Sequence, residues 1–273
     1  MPIAVDSHVA REWIERIRGD ARERVEDELA IEEPLEIRVD GEPLAVTMRT
    51  PGEDEALAVG FLAGEGLIAG PDDVAEVGPA ADLAANVVEV RTRRGLRRDP
   101  SAERRFYLSS SCGVCGKGAL EFIRQEAPPA EGDATLDAAV VADVPERARA
   151  MQRSFERTGG LHATALFEPG GEILVLHEDV GRHNAMDKAV GAMLLAGRFP
   201  LPGVFACVSG RASFELVQKA SLAGLAGLVA VGAPSSLAVE LAREREMLLC
   251  GFVRDRSFNV YAGGDRISGG LAG

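Results

Sequence analysis

Lysine is almost missing from this chain. Of its 30 basic residues only Lys117, Lys188 and Lys219 are lysine, and the rest are arginine. Cysteine is scarce too, with four in 273 residues. That excludes a disulfide scaffold and implies a reducing compartment. No stretch reaches the about 18 uncharged apolar residues that a membrane span needs. Met1 to Asp20 carries Asp6, Arg11, Glu12, Glu15 and Arg16 where a secretory signal would have its apolar region. A cytoplasmic location is therefore expected. Positive charge is in deficit, with a formal net charge of −13. Nucleic acid and anionic lipid are disfavoured at long range, although a local basic patch can still bind a small anion. Neither G-x-x-x-x-G-K-[S/T] nor G-x-G-x-x-G occurs, so the ordinary mononucleotide and dinucleotide loops are excluded.

What is present is a globular composition. Hydrophobic residues make up 46% of the chain, enough for a sizeable core in one large domain or two. The first thirty residues read as a charged, weakly helical arm. Val9, Trp13 and Ile17, then Val25 and Leu29, recur at steps of four, with Gly19 interrupting. Leu35–Val39 and Leu44–Met48 alternate on either side of Asp40-Gly41, a hairpin signal. A helix is expected over Glu53 to Ile68, and a strand over Asn86 to Arg91. Arginines crowd the next stretch, from Arg91 to Arg105. Pro128, Pro129 and Gly132 mark a linker. The expected organisation is an arm over 1–30, a small α+β domain over 31–126, a linker over 127–139 and an α/β domain over 140–273.

The second half alternates strands and helices. A helix from about Pro145 to Glu156 precedes a hairpin of Ala163–Phe167 and Ile173–His177 around Pro169-Gly170-Gly171. Helices at Asn184–Leu195, Phe214–Leu225 and Leu237–Arg245 then interleave with strands at Val204–Val208, Leu228–Val231 and Met247–Val253. This rhythm predicts a largely parallel sheet with helices on both faces, the opening hairpin adding one antiparallel strand.

Cys207 and Cys250 sit inside apolar runs and read as inert core thiols. Cys112 and Cys115 form a C-x-x-C pair flanked by Gly113, Gly116 and Gly118 and by three serines. Such a pair can be a redox dithiol, half of a zinc site, or a nucleophile with a helper thiol. A zinc site takes about four ligands, usually two such pairs or a following histidine pair. Here there is one pair, and His162, His177 and His183 are scattered, so no structural metal is expected. The glycines favour an exposed loop able to reach more than one partner. Lys117 and the arginines leading into the loop would stabilise a thiolate.

A second constellation is His177-Glu178-Asp179-Val180-Gly181-Arg182-His183-Asn184-Ala185-Met186-Asp187-Lys188, between a strand and a helix. Ser209-Gly210-Arg211-Ala212-Ser213, Gly232-Ala233-Pro234-Ser235-Ser236 and the stretch after Val253 read as further strand-to-helix turns on the same sheet edge. Serines there commonly just cap helices. Several such turns together with Arg182 and Arg211 predict an anionic ligand. The three lysines lie beside these segments and are candidate phosphate or thiolate partners. Zinc deaminase chemistry is not expected, because Thr164 follows His162-Ala163 where a deaminase needs glutamate.

Taken together, RTPGEDEALAVGFLAGEG, SSCGVCGK, TGGLHATAL, HEDVGRHNAMDKAVG, SGRASFELVQKA, APSSLAVELA and GFVRDRSFNVYAG resemble the FdhD/NarQ family, the sulfur-carrier proteins needed for active formate dehydrogenase. The resemblance implies a cytidine-deaminase-like C-terminal domain with a mixed sheet and no zinc, and a homodimer. It implies a sulfurtransferase role, with a cysteine desulfurase as sulfur donor and the molybdenum (or tungsten) bis(molybdopterin guanine dinucleotide) cofactor as acceptor. GDP would mimic half of that acceptor. Carried onto this sequence, Cys112 bears the persulfide and Cys115 assists. The cofactor segment falls at Phe252, Val253, Arg254, Asp255, Arg256 and Ser257, with Arg182, Ser209 and Arg211 as further ligand contacts. Two other classes stay open: a thiol–disulfide oxidoreductase, and a guanine-nucleotide or cofactor-binding chaperone without sulfur chemistry.

Overall fold

A computed structural model of the chain describes residues 8–80, 86–97, 130 and 132–271. The C-x-x-C segment, with Cys112 and Cys115, lies outside the described residues.

Residues 9–30 form strands, not a helix. β1 (Val9–Arg18) and β2 (Ala21–Ala30) pair antiparallel as a separate two-stranded sheet, turning at Gly19, whose φ is +60°. A step of four residues repeats a strand face as well as a helix face, so the apolar spacing alone could not choose. In the hairpin Val9, Trp13 and Ile17 share one face, and Ala10, Ile14, Val25 and Leu29 the other. Trp13 and Ile17 remain exposed. Arg157 in helix α3 (Arg153–Thr158) reaches both Glu28 carboxylate oxygens at 2.8 Å, which docks the hairpin and holds the Glu28 carboxyl down at about 2.

β3 (Glu33–Val39) and β4 (Glu42–Arg49) form the expected hairpin. With β5 (Val74–Pro79) and β6 (Val87–Thr92) they make a four-stranded sheet in the order β4-β3-β6-β5. Helix α1 (Asp54–Gly64) lies on it, packing Leu57, Val59 and Leu62 with Leu35, Ile37, Val88 and Val90.

The second half builds a six-stranded sheet in the order β13-β12-β11-β10-β8-β9. Its strands are β8 (His162–Phe167), β9 (Ile173–Asp179), β10 (Phe205–Val208), β11 (Gly227–Ala230), β12 (Leu248–Arg254) and β13 (Ser257–Ala262). Only β10, β11 and β12 run parallel; the other three pairings are antiparallel. The sheet is therefore mixed rather than largely parallel, because the chain turns back after β12 into β13 instead of crossing through another helix.

Both faces of this sheet are covered. Helix α2 (Ala138–Met151) packs Val141, Val144 and Ala148 on one face, with Phe205 and Cys207. It starts well before Pro145, which lies inside it. Asp137 supplies the start signal, accepting the Ala139 N–H at 2.8 Å. Short β7 (Leu136–Asp137) leads into α2 and pairs with β14 (Ile267–Ser268). Helices α4 (Arg182–Leu195), α5 (Phe214–Leu222) and α6 (Ser236–Glu244) cover the opposite face.

α4 is the hinge of the architecture. One side packs on the six-stranded sheet; the other meets α1, so the layers run sheet, α1, α4, sheet. The two helices touch backbone to backbone. A Cβ on Gly60 would stand 1.8 Å from the Asp187 carbonyl oxygen, and one on Gly191 would stand 1.8 Å from that of Ala56.

Candidate functional site

The turns expected to bind a ligand do lie on one edge of the six-stranded sheet. β9 ends there at Asp179, paired with His162, and β10, β11 and β12 end beside it. The loops beyond the strands are laced together. Gly232 N–H donates to the Gly210 carbonyl at 2.9 Å, Phe252 N–H to that of Gly232 at 3.1 Å, and Ser235 N–H to that of Ala212 at 3.0 Å. Such close spacing needs bare backbone at the crossing points. A Cβ on Gly232 would lie 3.0 Å from the Gly210 oxygen, and one on Gly251 would lie 2.8 Å from Pro234 Cδ.

Two of the serines cap helices, as serines in such turns commonly do. Ser213 Oγ accepts from Leu216 N–H at 3.4 Å and Ser235 Oγ from Ala238 N–H at 3.2 Å, so both cap helices. Ser209 Oγ accepts from Ala163 N–H at 2.9 Å, extending the sheet; that bond takes one acceptor site and leaves the hydroxyl proton to donate. Arg211 is exposed in the middle of its loop.

Arg182 opens α4 and is the residue with something left to give. Its Nε is buried and has no hydrogen-bond partner among the described residues. A buried donor left unpaired carries a desolvation cost, and an incoming anion would remove it. Two histidines stand beside it. The His183 Nε2 is 2.9 Å from Glu215 Oε2 and 3.2 Å from Ser213 Oγ. The hydrogen bond from His183 holds the Glu215 carboxyl below its ordinary value. His162 packs against Gly210, and burial, then the positive charge of Arg182, keeps its pKa below the usual histidine value. His162 is thus neutral at neutral pH, where one ring nitrogen can donate a hydrogen bond and the other accept one.

Phe252 to Ser257 also reach this edge, but not as a strand-to-helix turn. The segment is the end of β12, the turn at Asp255-Arg256 and the start of β13, so a strand and not a helix comes next. Phe252, Asp255 and Arg256 all hold positive φ, at 54°, 50° and 53°. Non-glycine residues pay for that conformation, and such strain clusters where side chains must be aimed. Val253 points into the core, whereas Phe252, Arg254, Asp255, Arg256 and Ser257 are exposed. Ser257 Oγ donates to the Arg254 carbonyl at 2.9 Å, closing the turn.

The lysine expectation needs correction. Lys188 and Lys219 are buried inside the helix layer and cannot meet a phosphate. Lys219 Nζ lies 2.9 Å from Asp187 Oδ1 and 3.2 Å from Glu65 Oε1. Burial works against this ammonium, but the two carboxylates outweigh it and hold its pKa above the ordinary lysine range. Burial pushes Asp187 the other way for a carboxyl, up to about 6, against the pull of Lys219. Asp187 thus keeps its proton to higher pH when folded than when unfolded. Its contribution favours the folded state at low pH and is lost as pH rises from 3.8 through about 6. Asp187→Asn should flatten that part of the stability curve, as denaturant melts across the same pH range would check. An unchanged slope would place the titration elsewhere.

Other polar residues of this motif hold the fold rather than face the edge. Glu178 accepts the Ser154 and Phe155 N–H groups at 3.0 and 2.7 Å, capping α3. Asn184 bridges β4 to the α4 turn, donating to the Met48 carbonyl at 2.7 Å and to Asp179 Oδ1 at 3.0 Å. For Asn184 the available signal was a polar residue in a helix whose neighbours are buried.

A model of the FdhD/NarQ family matches residues 30–268. A "Sulfur carrier protein FdhD" from Streptomyces coelicolor is 50% identical over 272 residues, covering 94% of this chain and 95% of its own. Relatives of the same name from Anaeromyxobacter dehalogenans and Mycobacterium tuberculosis are 49% and 48% identical, covering 91% and 88% of this chain and 91% of each of theirs. Among solved structures, one described as a candidate formate dehydrogenase accessory protein from Desulfotalea psychrophila superposes with a TM-score of 0.77. It is 25% identical and covers 96% of this chain and all of its own.

Proposed function

The chain belongs to the FdhD/NarQ family, and on that premise we propose that it is a sulfur carrier acting on the maturation of formate dehydrogenase, with Cys112 as the carrying residue. The sulfur donor is a cysteine desulfurase. The acceptor, and thus the substrate, is the molybdenum bis(molybdopterin guanine dinucleotide) cofactor. The working unit is a homodimer in the cytoplasm.

The loading step follows from thiolate chemistry. Cys112 sulfur attacks the outer sulfur of the donor persulfide; the donor S–S bond breaks, and the donor leaves as a thiolate. Cys112 then holds one extra sulfur. That sulfur leaves at the sulfane level, so reducing it to sulfide takes two electrons. They come from the acceptor metal, or from Cys115 as it closes a disulfide with Cys112. The protein's task at the other end is to hold the guanine dinucleotide, while the metal chemistry belongs to the substrate.

The observation that supports the ligand edge best is the buried Nε of Arg182, which has no partner among the described residues, beside neutral His162. Arg182 would take a phosphate oxygen, with Arg211 and Arg254 supplying exposed positive charge along the same edge. Phe252, exposed and held at φ 54°, offers an aromatic face to a base. Calorimetry with GDP tests this. Arg182→Ala and Arg254→Ala should each weaken GDP by about 1.5–3 kcal/mol if each makes a charge-assisted bond. Absence of GDP binding, or equal affinity for ADP, would remove the guanine dinucleotide from the proposal.

A further inference from the structure

Lys188 has no access to solvent or ligand, yet it sits directly behind the ligand edge. Both its side chain and that of Asp179 are 0% exposed, and Nζ lies 2.9 Å from Asp179 Oδ2. The same ammonium donates to the Thr50 carbonyl at 2.8 Å. Asp179 spends its remaining capacity locally. Oδ2 also accepts the Thr50 N–H at 3.1 Å, and Oδ1 accepts the Gly181 N–H at 2.8 Å and Asn184 Nδ2 at 3.0 Å. Val180 N–H donates to Thr50 Oγ1 at 3.2 Å. The Val180 and Gly181 N–H groups are thereby tied to one ion pair and one threonine.

Fold stability alone does not account for such a pair. Two charges removed from water lose hydration that their mutual attraction barely restores, and an apolar pair of similar volume commonly does as well. What an apolar pair cannot do is fix direction. The Asp179 carboxylate grips the Gly181 amide, and Gly181 leads straight into Arg182 and His183. The turn has no slack, since a Cβ on Gly181 would stand 3.0 Å from Asn184 Nδ2. A chain that uses arginine for all but three of its basic residues keeps a lysine here, where a compact point charge fits a sealed site and a guanidinium fork does not.

We propose that Lys188 is a positioning residue for the ligand edge: through Asp179 it fixes the Val180–Gly181 turn, and so the direction in which Arg182 and His183 meet the ligand, while its bond to Thr50 indexes the four-stranded sheet to the same turn. This rests on the reading of the edge as an anion site, but the positioning itself can be measured without ligand.

Lys188→Met alone leaves Asp179 buried without a counter-charge and is expected to fold poorly. The informative variant is the charge-neutral pair Asp179→Asn with Lys188→Met. Thr50→Val is the milder second variant, deleting only the hydroxyl that accepts Val180 N–H. Amide hydrogen exchange and GDP calorimetry are run on each. In the pair variant, exchange at residues 180–184 should quicken by about tenfold or more while the last turns of α4 stay protected. GDP affinity should fall by about tenfold, as when a residue supporting a binding group is lost. Thr50→Val should show the same pattern, weaker. A folded pair variant with unchanged local exchange would overturn the proposal. So would loss of protection spread evenly over the chain, which would make the pair a general stabiliser. If the parent protein itself fails to bind GDP, the ligand reading falls alone and the exchange pattern still decides the positioning role.

Discussion

Cys112→Ser should abolish sulfur loading outright. Incubated with a cysteine desulfurase and cysteine, the unaltered chain is expected to gain one sulfur, about 32 Da by intact-mass spectrometry, because a persulfide is one extra sulfur on a thiolate. The Cys207 and Cys250 thiols cannot substitute. Burial pushes both the Cys207 and the Cys250 thiol up to about 12. At neutral pH the thiolate fraction of such a group is on the order of 10⁻⁵, and the thiolate is the nucleophile. Neither can meet a partner either, since Cys207 is 3% exposed and Cys250 0%. Cys207→Ser and Cys250→Ser should therefore load like the parent. Cys115→Ser should keep loading at Cys112 even if delivery slows, since accepting a persulfide needs one nucleophile whereas a disulfide cycle needs two. Loading that survives Cys112→Ser would remove this cysteine from the mechanism. Equal loss in Cys112→Ser and Cys115→Ser, with a stable disulfide as the working form, would favour an oxidoreductase.

The parts of the fold legible in the sequence are those with a local physical signature. Asp40-Gly41 between alternating runs gives the β3–β4 hairpin, and the helices α4, α5 and α6 sit within a few residues of where their patterns place them. Where two structures share one signature, the sequence misleads. The apolar steps of four in the first thirty residues fit a helix and a strand equally, and the cross-strand pairs that decide, such as Arg11 with Glu28 at 3.3 Å, cannot be seen along the chain. Pro145 reads as a helix start, although Asp137 is the true cap. The ligand edge is half legible. Its turns and Arg182 follow from strand ends, but which polar residues face outward depends on partners over a hundred positions away. Lys188 finds Thr50, and Asn184 finds Met48, only in the folded chain. Motif residues that look like one site along the sequence thus divide into a few that face the ligand and more that hold those few in place.

The contact between α1 and α4 has the same hidden character and leads to the largest stability effect expected of any single methyl group described above. Gly60 and Gly64, four residues apart, turn one face of α1 toward α4, and Gly191 answers from the other helix. In Gly191→Ala the new Cβ would lie 1.8 Å from the Ala56 carbonyl oxygen and 2.9 Å from the Gly60 nitrogen. Both are backbone atoms, so no side chain can swing aside, and the helices must part. Moving them apart stretches the Lys188 bond to Thr50, which ties α4 to the segment leading into α1. A helix interior normally gains from Gly→Ala, by about 0.5–1 kcal/mol. Here overpacking reverses the sign, and the net loss should be about 3 kcal/mol or more. For a chain of this size that lowers the melting midpoint by on the order of 10 °C. Gly170→Ala is the control. It lies in a turn with nothing within 4 Å of a new Cβ and no positive φ, so its midpoint should hardly move. Differential scanning calorimetry of the two variants separates the cases. A Gly191→Ala protein that melts with the parent would mean that α1 and α4 do not meet backbone to backbone, and the indexing of the four-stranded sheet to the ligand edge would lose its steric basis.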